Sequence, residues 1–228
     1  MRREERDTGF TDQLLHGRNS IGKAFRKSSC GGLSQSRDRA RRRGDLELAI
    51  SDFNEAIRLN PQSAYPYSDR GLTYARKGDI DRAIADFDEA IRLDPKYALA
   101  FRNRGFAHYL KHKYDSAIAD YDAAIRLNPK DVAAFNDRGN VYHAKRDVDR
   151  AIADFNEAIR LNRAFVPAYS NRCLVYYDKG DQDRAMVDCN EAIRRNPKYA
   201  LAYVTVVWSS TQRATMTAPS PTMTKRSG

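Results

Sequence analysis

The chain has 228 residues, with 40 Lys and Arg against 30 Asp and Glu, and three cysteines. That length suits one ordinary domain or an array of small units, and the basic excess raises the question of a nucleic-acid partner. Location answers it: residues 1–44 hold 12 basic and 5 acidic side chains, residues 200–228 hold 3 basic and no acidic ones, and 45–199 holds 25 of each. A basic footprint is therefore excluded from the central part. No apolar run reaches the length of a membrane span, and the N-terminus lacks the apolar core of a signal peptide. Glu4, Glu5 and Asp7 also argue against a transit peptide, so a soluble, cytoplasmic chain is expected. Cys30, Cys173 and Cys189 are too few and too unevenly placed for a secreted disulfide framework.

In chain order, residues 1–29 read as a basic, disordered arm. A repeating phrase follows: "AISDFNEAIRLNP" from Ala49, "AIADFDEAIRLDP" from Ala83, "AIADYDAAIRLNP" from Ala117, "AIADFNEAIRLNR" from Ala151 and "AMVDCNEAIRRNP" from Ala185. Each copy starts 34 residues after the last. A period of this size means stacked supersecondary units. Ala83, Phe87, Ala90 and Ile91 share one helical face, with small residues where a neighbouring helix must come close. Asp79 and Asp81 place acidic groups at the start of that helix, where the exposed N–H groups favour them. Asp94-Pro95 closes it, because proline cannot continue the hydrogen-bond ladder. The helix before it, predicted over Tyr65–Lys77, presents Tyr67, Gly71 and Tyr74 on a second face, and Gly78 supplies the turn. Two antiparallel helices per unit follow.

On Tyr67, Gly71, Tyr74, Gly78, Ala83, Phe87, Ala90 and Pro95, with their equivalents in the next three units, the sequence resembles the tetratricopeptide repeat (TPR) family. The resemblance covers about residues 30–204 and implies an all-α solenoid of tandem antiparallel helix pairs with disordered ends. Complete units run 64–97, 98–131, 132–165 and 166–199. The unit 30–63 is partial, its first helix "LSQSRDRARRR" keeping only Leu33 and Ala40 of the apolar face. Arg163 stands where a proline belongs and His112 where a turn glycine belongs. Pentatricopeptide repeats, which have a nearby period, have a side-chain pattern that is absent here.

The resemblance implies a binding surface on the concave face, lined mainly by first helices. Counted onto this chain, it implies a peptide-binding groove of Arg102, Asn103, Phe106, Tyr109, Asn136, Asn140, Asn171 and Tyr177. The column Asp69, Asn103, Asp137, Asn171 resembles the asparagine ladder with which some arrays hold an extended peptide. An amide offers a donor and an acceptor to any peptide bond, and the rings add apolar contact. The bland alternative is that these groups are solvated or bond between repeats. Arg102 and Asn136 could belong to the family's carboxylate clamp, but its other cationic positions are not filled.

Arg70, Arg104, Arg138 and Arg172 stand where the family usually has leucine, and they travel with Asp86, Asp120, Asp154 and Asp188. Because an unpaired buried charge is costly, these are expected to form structural Arg–Asp pairs. Cys173 replaces the glycine of its column and Cys189 the aromatic residue of its column. The two are expected to lie close together, as small buried thiols filling a gap rather than as a disulfide. His16, His108, His112 and His143 show no ligand spacing, and His108 stands in a tyrosine column. With no phosphate loop, nucleophile elbow or catalytic carboxylate pair, no enzymatic activity, cofactor or metal is expected.

From Thr205 the helical period is lost. Codons AAC-CGT-GGT-CTG-GTC, which would continue the repeat as Asn-Arg-Gly-Leu-Val, give ACC-GTG-GTC-TGG when read one base late. That is Thr205-Val206-Val207-Trp208. Residues 200–228 are therefore expected to be a broken unit with an out-of-frame tail, leaving Met186 and Ile193 more exposed than Ile84 and Ile91. The expected function is a non-catalytic protein-interaction scaffold holding an extended peptide of unknown identity. The rivals are a fragment of a longer array without independent function, and nucleic-acid association through the basic arm at Arg37–Arg43.

Overall fold

Sequence periodicity and helix geometry agree closely in the computed structural model. It describes residues 46–197. In chain order its helices are α1 (Leu46–Leu59), α2 (Ala64–Lys77), α3 (Ile80–Leu93), α4 (Ala98–Leu110), α5 (Tyr114–Leu127), α6 (Val132–Ala144), α7 (Val148–Leu161), α8 (Val166–Lys179) and α9 (Gln182–Arg195). No strand occurs among the described residues. They divide into two bodies, one ending at Pro129 and one starting at Lys130. α1 falls in the second half of the expected partial unit 30–63. The expectations for 1–29, for the first helix of that unit and for 200–228 lie outside the described residues.

Helices of 13 or 14 residues are marginal alone, so their stability comes from the faces they bury. In the first body Ala83, Phe87 and Ala107 form one buried cluster, flanked by Leu72, Tyr74, Ile80 and Ile84. Ala64, Ala90 and Ala100 form another, with Tyr67, Ile91, Leu93 and Tyr97 around them. Alanine recurs at these contacts because helix axes can approach closely only over a small side chain. In the second body Tyr169 and Ala192 are packed by Ile159, Val166 and Ile193. Phe53, Phe87, Tyr121 and Phe155 are almost wholly enclosed, each burial contributing about 1.5–3 kcal/mol. Each of the last three rings lies against a glycine of the preceding helix. A Cβ on Gly71 would stand 2.9 Å from Phe87 Cε1, on Gly105 3.2 Å from Tyr121 Cε1, and on Gly139 2.8 Å from Phe155 Cε1.

The turn inside each pair is the same motif four times. An amide two or three residues past the helix bonds back to a carbonyl five residues earlier, as in Asp79 to Tyr74, Lys113 to His108, Asp147 to Tyr142 and Asp181 to Tyr176. It requires a left-handed residue, which Gly78 and Gly180 supply at φ 85° and 84°. His112 and Arg146 adopt the same region at φ 56° and 65°, so the turn forms without glycine at a local cost. Turns between pairs rely on a side chain. Asn60, Asp94 and Asn162 each accept, through Oδ1, the amide two residues on, with lengths of 3.3, 2.9 and 2.9 Å. This bond explains why Arg163 is tolerated in place of proline.

Ile84, Ile91, Met186 and Ile193 are all half-buried. Val187 is 68% exposed at a position where the inner repeats carry exposed Ala85, Ala119 and Ala153.

Asp79, Asp147 and Asp181 cap their helices by accepting the amides of Arg82, Arg150 and Arg184. At the same position α5 has Lys113, which gives no side-chain cap. Lys113→Asp should therefore stabilise the protein by about 1 kcal/mol, read as a higher denaturation midpoint with an unchanged slope.

Candidate functional site

Charge pairing accounts for the arginine column. Arg70, Arg104, Arg138 and Arg172 donate through Nη2 to Asp86, Asp120, Asp154 and Asp188 at 2.7, 2.6, 2.7 and 2.6 Å. The Nε atoms donate to the second carboxylate oxygens at 2.9, 3.0, 2.8 and 2.7 Å. Each pair is thus a two-bond fork inside one repeat. Some forks also reach back to the previous repeat, from Arg70 to Asn54 at 2.6 Å, Arg104 to Asp88 at 2.7 Å, and Arg172 to Asn156. The carboxylates are buried, and hydrogen bonding to Asp120 and Asp86 raises the pKa of Arg104 and Arg70 above the ordinary arginine value. These arginines are structural and are not open to an anionic ligand.

The first-helix residues divide by body. In the first, α4 carries Arg102, Asn103, Phe106 and Tyr109. Asn103 and Phe106 are each only 4% exposed and serve packing. Arg102 and Tyr109 are half-buried, and the Tyr109 ring lies 6.0 Å from that of Tyr114. On α2, Ser68 is buried. It hydrogen-bonds the hydroxyl of Tyr97, whose phenol pKa is pushed up by burial and then by the nearby Asp69 carboxylate.

In the second body α6 and α8 place their residues side by side. Asn171 Nδ2 donates to Asn136 Oδ1 at 2.9 Å, and Asn136 Nδ2 donates to Asp137 Oδ1 at 3.2 Å. Asn136 is fully enclosed, and its Oδ1 bonds to the next repeat. Asn171, Asn140 and Tyr177 are half-buried, and Asn140 Nδ2 is buried without an acceptor among the described residues. Sequence reasoning missed that His143 Nε2 lies 2.9 Å from Asp178 Oδ2. The signal was present. Both first-helix contacts join residues 35 positions apart on adjacent first helices.

The cysteines require a correction. Cys173 and Cys189 form a disulfide, with Cα atoms 5.5 Å apart, and are not a pair of free thiols. Ala185 completes this buried cluster, with Tyr176 and Tyr177 packed against it. The expected proximity holds, but the chemical state differs.

The helix-pair repeats and their repeated turn, Gly–ring and Arg–Asp contacts define an α-helical repeat protein. Family models described as "Tetratricopeptide repeat" match residues 68–131, 103–165 and 166–199, and one described as "TPR repeat" matches 38–78. The chain belongs to the tetratricopeptide repeat family. No curated protein matches it. Among solved structures, MamA aligns over 72% of this chain and 96% of its own at 27% identity and a TM-score of 0.63. YrrB, described as a TPR protein with an unusual peptide-binding site, aligns over 74% and 87% at 21% identity and 0.59. A thermophilic TPR protein of Thermus thermophilus aligns over 79% and 98% at 19% identity and 0.66. No described helix is long and apolar enough to cross a membrane.

Arg104→Leu should destabilise the protein by roughly 3 kcal/mol, because Asp120 is left buried without its main partner. Arg104→Leu combined with Asp120→Ala should recover most of that loss, as read by urea denaturation. His108 offers a pH test. It replaces the tyrosine of its column, its Nδ1 is buried without a partner among the described residues, and burial lowers its pKa, opposed by the Asp120 carboxylate and assisted by Arg104. The folded state therefore favours the neutral ring. Its contribution is complete above the ordinary value near pH 6.5 and is lost as pH falls from there through the lowered folded value. Thermal melts between pH 7.5 and 5 should show a steeper loss for the native chain than for His108→Tyr.

Proposed function

We propose that the protein is a non-catalytic interaction scaffold whose first-helix faces hold an extended peptide. The observation that carries this reading is the α6–α8 contact, where Asn171 bonds Asn136 across the two helices and is, like Asn140 and Tyr177, half-buried. Asn171 uses one amide hydrogen on Asn136, and an asparagine side chain has four bonding sites in all. The remaining capacity suits a backbone N–H and C=O, whose recognition does not depend on side-chain identity. Tyr177, on the same helix, adds apolar area. In the first body Arg102 and Tyr109 offer the corresponding polar and aromatic contacts on α4. Membership of a repeat family and likeness to a fold described with a peptide-binding site also favour the reading.

The repeated carboxylates support a scaffold as well. Asp86, Asp120, Asp154 and Asp188 are engaged by arginine, and Asp79, Asp147 and Asp181 cap helices. Specificity for a given peptide would then come from the aromatic and charged groups around the amides.

Panning a random peptide library against the whole chain supplies the probe. Peptides so selected should bind Asn171→Ala several-fold more weakly, in line with about 0.5–1.5 kcal/mol for one hydrogen bond. Tyr177→Ala should weaken them further, with circular dichroism confirming that both variants remain folded. Selected peptides that bind the double variant as tightly as the native chain would refute the reading.

A further inference from the structure

The last repeat departs from the others at two facing positions at once. Glycine meets an aromatic ring at Gly71 and Phe87, Gly105 and Tyr121, and Gly139 and Phe155, where an added Cβ would lie within 2.8–3.2 Å of the ring. In the fourth pair the ring is gone and the glycine has gained a side chain. Cys173 and Cys189 occupy the space together, 0% and 1% exposed, and are bonded to each other. The two changes are reciprocal: without the ring there is room for a Cβ and two sulfurs. When the bond is broken, two small thiols stand where every other complete repeat packs an aromatic side chain.

We propose that Cys173 and Cys189 form a reversible thiol–disulfide staple that sets the order of the last repeat, and through it the binding face on α8. The second half of this statement rests on the peptide-binding reading above. The bond joins α8 to α9 across 16 residues, and closing such a loop restricts the opened chain. In a repeat array each unit is held by itself and its neighbours, so the effect stays near the staple. Tyr177 packs directly on the cysteine cluster, and Asn171 lies two residues before Cys173 in the same helix. Loosening α8 therefore reaches both.

The oxidant is a low-molecular-weight disulfide of the glutathione type. One cysteine thiolate, its proton lost to solvent, attacks a sulfur of that molecule, forming a mixed disulfide and expelling one small thiolate. The second cysteine thiolate attacks the protein sulfur of the mixed disulfide, forming the Cys173–Cys189 bond and expelling the other small thiolate. Two protein thiols are oxidised as one small disulfide is reduced to two thiols, and the small thiolates take up the two released protons. Because both sulfurs are enclosed, exchange in either direction proceeds when α8 and α9 separate locally. A peptide seated on Asn171 and Tyr177 would oppose that separation and slow the exchange.

The test uses the whole chain with Cys30→Ser, equilibrated in oxidised or reduced glutathione. Alkylation and peptide mapping follow the bond, and hydrogen exchange follows the helices. Reduction should break the bond and accelerate amide exchange in Val166–Arg195 on the order of ten-fold or more, leaving α2 and α3 unchanged. Cys173→Gly with Cys189→Phe, which restores the pattern of the other repeats, should be insensitive to the redox buffer and as protected as the oxidised chain. The staple is overturned if both cysteines are alkylated in oxidised glutathione, or if the bond breaks with no change in exchange. A library-selected peptide should bind the reduced form several-fold more weakly. If exchange responds but the peptide binds both forms equally, the coupling to binding is overturned. If exchange responds and no peptide is recovered, the staple stands and the peptide-binding reading falls.

Discussion

One guanidinium contact organises the architecture. An arginine on each complete first helix forks onto a buried aspartate 16 residues later, and Arg70, Arg104 and Arg172 also touch a polar side chain 16 residues earlier. One side chain thus closes its own helix pair and ties it to the pair before. A leucine could fill the volume but could not fix direction, whereas a planar fork sets both the rotation and the height of one helix against the next. The aromatic residues stack around these centres, with the Arg70 guanidinium 5.6 and 6.0 Å from the Tyr67 and Tyr74 rings. Arg172 lies similarly at 5.9 and 6.0 Å from Tyr169 and Tyr176.

The pair α4–α5 shows what happens when a supporting pair is lost. Elsewhere a tyrosine at the end of the first helix lies under a second arginine, as Tyr74 under Arg82 at 4.8 Å and Tyr142 under Arg150 at 4.5 Å. Here the tyrosine is His108 and the arginine is Ser116. The histidine approaches Asp120 at 3.7 Å, and its Nδ1 is buried without a partner among the described residues. The last repeat has undergone a different paired exchange, at the Gly–ring contact.

Most of the fold was legible because a 34-residue period samples the same physics repeatedly. Ala83, Phe87 and Ala90 establish a buried face, and their equivalents repeat it. The Arg–Asp pairs were legible for a related reason: two charged columns at a constant 16-residue offset must meet or remain separately buried. The binding face was harder to read. Asn103 reads as an open ladder position and Asn136 as an open groove residue, yet both are buried, and Asn136 bonds the next repeat. Helical counting identifies the face of a residue but not how deeply the neighbouring helix covers it. His143 and Asp178 lie on adjacent first helices, an offset visible only once the stacking is known. The cysteines were placed correctly and assigned the wrong state, since proximity alone does not decide between two thiols and a bond.

The rungs that tie the end of a first helix to the start of the preceding second helix are of another kind. Lys77 reaches Glu47, Lys111 reaches Asp81 and Lys179 reaches Asp149, always 30 residues back, and the acidic partners are 72%, 81% and 90% exposed. Ions screen charges in water over about 8 Å at physiological ionic strength, but barely reach a buried fork. Salt therefore acts on these ties selectively. Rising ionic strength slackens the outer lysine rungs and leaves the arginine forks intact, so each body has a compliant rim beside a stiff spine.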